Sequence, residues 1–139
     1  MIAVAGTIVV DVSAHPVGRM PERGGLEPVE RIDLYVGGAV ANTGMALSRL
    51  GVPVGTIGCV GKDPLGRIVM EELSGWAEGF WIYEDETRST SATLVLVHPD
   101  GERTFISAVG ANAGLKEEHL PWEELVEAGA RAIHLGYAL

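Results

Sequence analysis

The sequence predicts an α/β fold: a parallel sheet flanked by helices, with antiparallel β elements outside it. Three observations carry this. Residues 2–10, 54–60 and 131–135 are apolar runs rich in Val and Ile, the composition of strands buried on both faces. Helical segments separate these runs, and strand–helix–strand order gives parallel strands with right-handed crossovers. Two further segments, 30–36 and 92–106, have the alternation or turn signals of antiparallel β structure instead.

Each element follows in order. The run 2–10 reads as one buried strand, with Asp11 at its C-terminal end. Ligands of open α/β sheets bind beyond such ends, so Asp11 stands where chemistry is expected; capping of an Asx turn is the other reading. Pro16, Gly18, Pro21, Gly24, Gly25 and Pro28 exclude a helix from the next stretch. Glu30-Arg31-Ile32-Asp33-Leu34-Tyr35-Val36 alternates charged and apolar residues, as does a strand with one wet face in a flap outside the main sheet. Met45, Ala46, Leu47 and Leu50 mark a helix over 40–50, stopped by Gly51. Pro53 precedes the strand 54–60. Asp63 is then an N-cap, with Pro64 in the first helical position of a helix to about Leu73.

Trp76, Phe80, Trp81, Ile82 and Tyr83 could form a short strand, with Glu84-Asp85-Glu86 a solvated turn. Ala92–Val97 and Arg103–Ile106 form a hairpin around His98-Pro99-Asp100-Gly101, since Asp-Gly tolerates positive φ. This hairpin and the flap could pair. Leu115 to Ala128 reads as a helix whose glutamates, Glu117, Glu118, Glu123, Glu124 and Glu127, make a solvated face. The last strand, 131–135, contains His134, which reads as a packed core histidine.

Composition removes several function classes. Hydrophobic residues are 47% of the chain, too many for a disordered protein. Ten basic against nineteen acidic residues, a net charge of −9, argue against binding a nucleic-acid backbone. No apolar run approaches the ~20 residues of a membrane span. The N-terminal apolar run has no basic segment before it, so no secretory signal is expected and a cytoplasmic location is. Cys59 is the only cysteine, which excludes an internal disulfide and a cysteine-rich metal site.

Both nucleotide templates fail. In the P-loop frame around Gly61-Lys62, Thr56 replaces the first glycine and Asp63 the hydroxyl residue. No Gly-x-Gly-x-x-Gly follows the first strand. His15, His98, His119 and His134 are scattered, and no Gly-x-Ser-x-Gly elbow is present. What remains is Gly37-Gly38 followed by Asn42. Adjacent glycines let the backbone approach a ligand closely or act as a hinge. Helix-start N–H groups are donors, and Asn42 supplies a donor and an acceptor. With the Asp11 carboxylate, this set suits a polyhydroxylated molecule such as a sugar. A tight strand-to-helix turn with an Asn cap is the competing reading. The chain has two Asn, Asn42 and Asn112, and no Gln, and both Asn lie in runs of small residues.

Gly37-Gly38-Ala39-Val40-Ala41-Asn42-Thr43-Gly44, Arg49-Leu50-Gly51 and Gly58-Cys59-Val60-Gly61-Lys62-Asp63-Pro64-Leu65-Gly66 come in order. Thr90-Ser91-Ala92-Thr93, Asp100-Gly101-Glu102-Arg103-Thr104-Phe105 and Gly110-Ala111-Asn112-Ala113 follow. Over essentially its whole length the sequence resembles the N-terminal portion of the PfkB carbohydrate kinase, or ribokinase, family. The resemblance implies a three-layer, Rossmann-like (ribokinase-like) α/β domain with an antiparallel β lid. Residues 1–139 would be its N-terminal part, cut after the third buried strand, with lid segments at about 14–36 and 91–107. It implies that Asp11 hydrogen-bonds sugar hydroxyls, that Gly37 and Gly38 give backbone contacts and a lid hinge, and that Asn42 binds another hydroxyl. Arg103 would touch substrate or form a plain salt bridge, and Asn112 would form a turn.

The parent reaction would move the γ-phosphate of ATP, with Mg, to a sugar hydroxyl. The family's Asp-Thr-x-Gly-Ala-Gly-Asp type run, with its general base and anion hole, is absent, as are its Asn-x-x-Glu motif and ATP pocket. No catalytic residue, metal ligand or cofactor is therefore expected for this chain alone. The expectation is the sugar-binding and lid half of a carbohydrate kinase, inactive in isolation. The alternative is a non-catalytic carbohydrate-binding or structural remnant. Expected partners are a sugar or nucleoside and a second copy or a C-terminal half, with no nucleic acid and no membrane.

Overall fold

A computed structural model describes residues 1–136. The elements are β1 (Ile2–Gly6), β2 (Val9–His15), β3 (Arg31–Gly37), α1 (Gly38–Arg49), β4 (Val54–Gly61), α2 (Pro64–Ser74), β5 (Gly79–Asp85), β6 (Ala92–Val97), β7 (Arg103–Ala108), α3 (Trp122–Glu127) and β8 (Ala132–Gly136). They form two sheets. The core sheet is parallel, in the order β5-β4-β1-β8. The second has the order β3-β2-β6-β7. The fold is the expected α/β sandwich. Ile8, Val10, Val40, Val60, Val69 and Leu73 form a core against α1 and α2, and Ala3, Ala5, Ile57 and Leu125 form another on the α3 side.

The apolar run at the N-terminus is two strands rather than one. The chain leaves the core sheet after Gly6, turns through Thr7–Ile8, and enters the second sheet at Val9. Asp11 is therefore mid-strand in the second sheet, not at the tip of a core strand. Burial continues across the corner, with Ile8 and Val10 fully buried, so hydrophobicity does not mark it.

The flap strand β3 and the hairpin lie in one sheet but do not pair with each other, because β2 stands between β3 and β6. Each is antiparallel within itself, β3 on β2 and β7 on β6, but β2 and β6 run parallel, so the second sheet is mixed. Side chains alternate across it. One face carries Tyr35, Asp11, Thr93 and Ser107 in a row across the four strands, and the other carries Leu34, Val12, Leu94 and Ile106.

The start of α2 is as expected and does more than cap a helix. Asp63 Oδ1 accepts from the Gly66 N–H at 2.9 Å and from the Thr90 hydroxyl at 2.8 Å, and Oδ2 accepts from the Thr90 N–H at 2.7 Å. The cap thus ties α2 to the root of β6. Burial alone would raise the Asp63 pKa, but these hydrogen bonds outweigh it and hold the carboxyl below its usual range.

Three expectations need correction. The helix over 115–128 reduces to α3, preceded by a 3-10 turn at Glu117–His119. Pro121 is the reason: it disfavours helical geometry in the residue before it, and Leu120 is extended at φ −85, ψ 108. The solvated turn at 84–86 is displaced, because β5 runs through Asp85. That carboxylate then closes the turn by accepting from the Thr87 and Arg88 N–H groups. His134 is exposed, not packed; among the described residues β8 pairs only with β1.

Replacing Asp63 with Ala should cost about 2 kcal/mol near neutral pH, for a lost cap and its buried partners. Denaturant unfolding measures this. The folded pKa is depressed, so the penalty is complete above the ordinary carboxylate range and shrinks as pH falls through the folded value.

Candidate functional site

Two concavities hold most of the residues singled out from the sequence; Gly38 lines one, and Gly37 packs against Asp11 of the other. The first lies on the polar face of the second sheet, lined by Asp11, Ser13, His15, Tyr35, Arg103 and Phe105 among others. The second lies at the carboxyl ends of β1 and β8, between Thr7, Gly38, Asn42, Thr43, His134 and Gly136. From β1 the chain moves one way through the sheet to β4 and β5, then returns to the other side as β8. The second concavity therefore sits at the topological switch point, where open α/β sheets bind ligands.

Asp11 is half-buried, flanked by Tyr35 on β3 and Thr93 on β6. Burial raises its pKa, partly opposed by a hydrogen bond from the Thr93 hydroxyl. Thr93 in turn shares a 2.8 Å hydrogen bond with the Ser107 hydroxyl. Next along β2, Ser13 Oγ is 2.7 Å from His15 Nε2, and Arg31 holds Asp33 at 2.8 Å.

The two glycines are required for different reasons. A Cβ on Gly37 would lie 2.8 Å from Asp11 Oδ2, so the missing side chain leaves room for that carboxylate. Gly38 has φ +84, and a Cβ there would lie 2.5 Å from the Thr7 carbonyl oxygen, a backbone atom that cannot swing away. That carbonyl also accepts the Val40 N–H at 3.1 Å, while the Thr7 hydroxyl accepts the Ala39 N–H at 3.3 Å. The start of α1 is thus fixed on the β1–β2 corner.

Asn42 is not the helix cap. Gly37 is the N-cap residue, without a side-chain hydrogen bond, and Asn42 lies in the second turn. Asn42 is exposed and lines the crevice, and among the described residues its amide makes no hydrogen bond. It is free to bind a ligand. Arg103 is exposed on β7, 6.0 Å from the Phe105 ring centre, and forms no ion pair among the described residues. The plain salt bridge is absent, and Arg103 shares the concavity of Asp11.

Asn112 does not simply form a turn. It is buried, and its side chain bonds both the N–H and the carbonyl of Ile8. Ser13, His15 and Tyr35 also line the concavity of Asp11, and the sequence reading does not single them out. Their signal is the spacing of two: polar residues at 11, 13 and 15 alternate with Val10, Val12 and Ala14.

Among the described residues, no group of three or more His, Cys, Asp or Glu side chains converges to hold a metal ion.

Residues 1–135 match the family model described as pfkB family carbohydrate kinase. The chain belongs to this family. Among curated relatives, it is 36% identical over 121 residues to a fructokinase of Salmonella typhimurium, covering 85% of the chain and 36% of that protein. A ribokinase of Arabidopsis thaliana, solved with ribose and ATP, superimposes with a TM-score of 0.80 at 22% identity, covering 96% of the chain and 44% of that structure. A fructokinase of Halothermothrix orenii superimposes with a TM-score of 0.69 at 25% identity, covering 96% and 45%. The chain therefore spans less than half the length of these relatives. No helix among the described residues is long and apolar enough to cross a membrane.

The glycine pair gives a paired test. Gly38→Ala should cost roughly 1–3 kcal/mol, for a positive φ and a backbone clash. Gly37→Ala should cost less than about 1 kcal/mol, since the carboxylate can rotate away. Chemical denaturation of both variants measures the difference, and NMR titration of Asp11 should show its environment changed in Gly37→Ala.

Proposed function

We propose that this chain is the sugar-binding and lid portion of an ATP-dependent carbohydrate kinase, and that the second sheet is the lid. The placement of Asp11 and Asn42 about the Gly37–Gly38 pair supports this reading: Gly37 packs against the Asp11 carboxylate, Gly38 lines the crevice of Asn42, and the Asn42 amide makes no hydrogen bond among the described residues. A sugar offers adjacent hydroxyls, each able to donate and accept. Asp11 accepts two such donors, Asn42 both donates and accepts, and Arg103 donates to a further oxygen. Asp11 must be ionised for this, so affinity falls as pH drops through its raised pKa.

Phosphoryl transfer needs a base at the attacking hydroxyl and donors around the developing phosphate charge. The reading assigns these to residues this chain does not contain. The 139 residues by themselves bind sugar without transferring phosphate. The exposed row Leu34, Leu94 and Ile106, continued by exposed Ile32, supports self-association through the outer lid face, with a second copy as the occupant.

Calorimetry with ribose, fructose, a sugar acid and a nucleoside tests the site. One of these should bind, and Asp11→Asn should weaken it about 10–100-fold, the range of a hydrogen bond to a charged group. Asp11→Asn should unfold no more easily at neutral pH, because burial penalises the native carboxylate. Phosphotransfer by the isolated chain, or unchanged binding by the variant, contradicts the reading.

Sedimentation tests the surface. A dimer is expected, shifted to monomer by Leu94→Lys, and a monomer at high concentration contradicts the assignment.

A further inference from the structure

At Ile8 the chain belongs to neither sheet. β1 ends at Gly6 and β2 begins at Val9, so neither ladder pairs the backbone of Ile8. The residue is fully buried, and an unpaired N–H and carbonyl there would each carry a desolvation penalty.

Asn112 satisfies both groups with one side chain. The Ile8 N–H donates to Asn112 Oδ1 at 3.0 Å, and Asn112 Nδ2 donates to the Ile8 carbonyl at 2.9 Å. The carboxamide replaces a neighbouring strand where none exists, which needs a donor and an acceptor in one fork.

The remaining bonds of Asn112 reach the other crossings between the sheets. Its N–H donates to Ser91 Oγ at 3.2 Å, and that hydroxyl donates to the Val109 carbonyl. The Ser91 carbonyl accepts the Val10 N–H at 2.9 Å. The entry to β2, the entry to β6 and the exit from β7 are thereby joined. The fourth crossing, from β3 into α1, is held to adjacent Thr7 through Ala39 and Val40.

We propose that Asn112 is a positioning residue for the sugar site. It fixes the angle at which β2, carrying Asp11, leaves the core sheet against which α1 holds Asn42. Asn112 lines neither the concavity of Asp11 nor that of Asn42 and acts through its bonds to Ile8 and Ser91. This rests on the reading above, that Asp11 and Asn42 hold the same sugar.

Asn112→Asp provides the test, because it keeps the shape and makes the second bond depend on a proton. The neutral carboxyl accepts from the Ile8 N–H and donates its O–H to the Ile8 carbonyl. The ionised form turns an oxygen on that carbonyl and repels it. Burial raises the pKa of such a group, so acid restores the clip.

Sugar affinity of Asn112→Asp, per folded molecule and relative to wild type at the same pH, should be about tenfold weaker near pH 8, and the ratio should close toward about pH 5.5. Wild-type affinity should not rise over that range, because Asp11 loses charge on acidification. A variant equal to wild type near pH 8, or one that acid does not rescue, overturns the proposal.

Amide hydrogen exchange provides an arm that needs no ligand. In Asn112→Ala, protection of β2 and β6 should fall about tenfold further than that of β4. Equal loss in both sheets would make Asn112 a general stabiliser and overturn its positioning role. If wild type binds no sugar, the functional reading fails, and the exchange arm still decides whether Asn112 sets the sheet junction.

Discussion

The rest of the structure depends on one corner, where the chain passes through Thr7 and Ile8 from the core sheet into the second. A strand that leaves a sheet inside the protein takes its backbone polar groups with it, and buried groups must be paired. Thr7 is paired by the start of α1 and Ile8 by Asn112. The corner is thus held from both sides, by α1 and by the turn after β7. Gly38 follows from the same constraint, because only a residue without Cβ fits over the Thr7 carbonyl. The fold and the candidate site share this anchor.

The site is assembled at some cost to stability. Asp11 is half-buried with its pKa raised, so its ionised form is less comfortable in the fold than in water. Gly37 leaves space beside that carboxylate where a side chain could otherwise pack. Among the described residues, Asn42 keeps an amide unpaired on an exposed helix turn. A fold selected only for stability would pair or replace these groups. Asp63, Thr90 and Asn112 instead use their polar atoms fully, in ties between elements. The contrast separates the groups left available to a ligand from those that hold the framework.

Much of this was legible in the sequence, for physical reasons. The Asp63-Pro64 pair announces a helix start because both residues act locally. The Asp-Gly hairpin likewise depends on local backbone freedom, and Gly101 does take φ +90. The family motifs single out Asp11, Gly37, Gly38, Asn42 and Arg103 for one ligand, and the fold divides them between two neighbouring concavities and the glycine pair. The features that escaped are set by distant partners. The corner at Thr7–Ile8 interrupts an apolar run whose two halves are both buried, so hydrophobicity is silent there. Asn112 pairs with a residue 104 positions away. The exposure of His134 goes with β8 having one neighbour among the described residues, which an apolar run does not reveal. The lost helix before α3 was different: Pro121 was in view, and its effect on Leu120 was outweighed by the glutamate-rich pattern around it.

The central claim is that Asp11 and Asn42, placed about the Gly37–Gly38 pair, hold one ligand. The most direct measurement is a ¹⁵N NMR titration of the chain with the best-binding sugar, following the backbone amides of Asp11, Gly37, Gly38 and Asn42 and the Asn42 side-chain amide. The account predicts that all of these signals move together along one binding curve. Shifts confined to one concavity, or two curves with different dissociation constants, would contradict it.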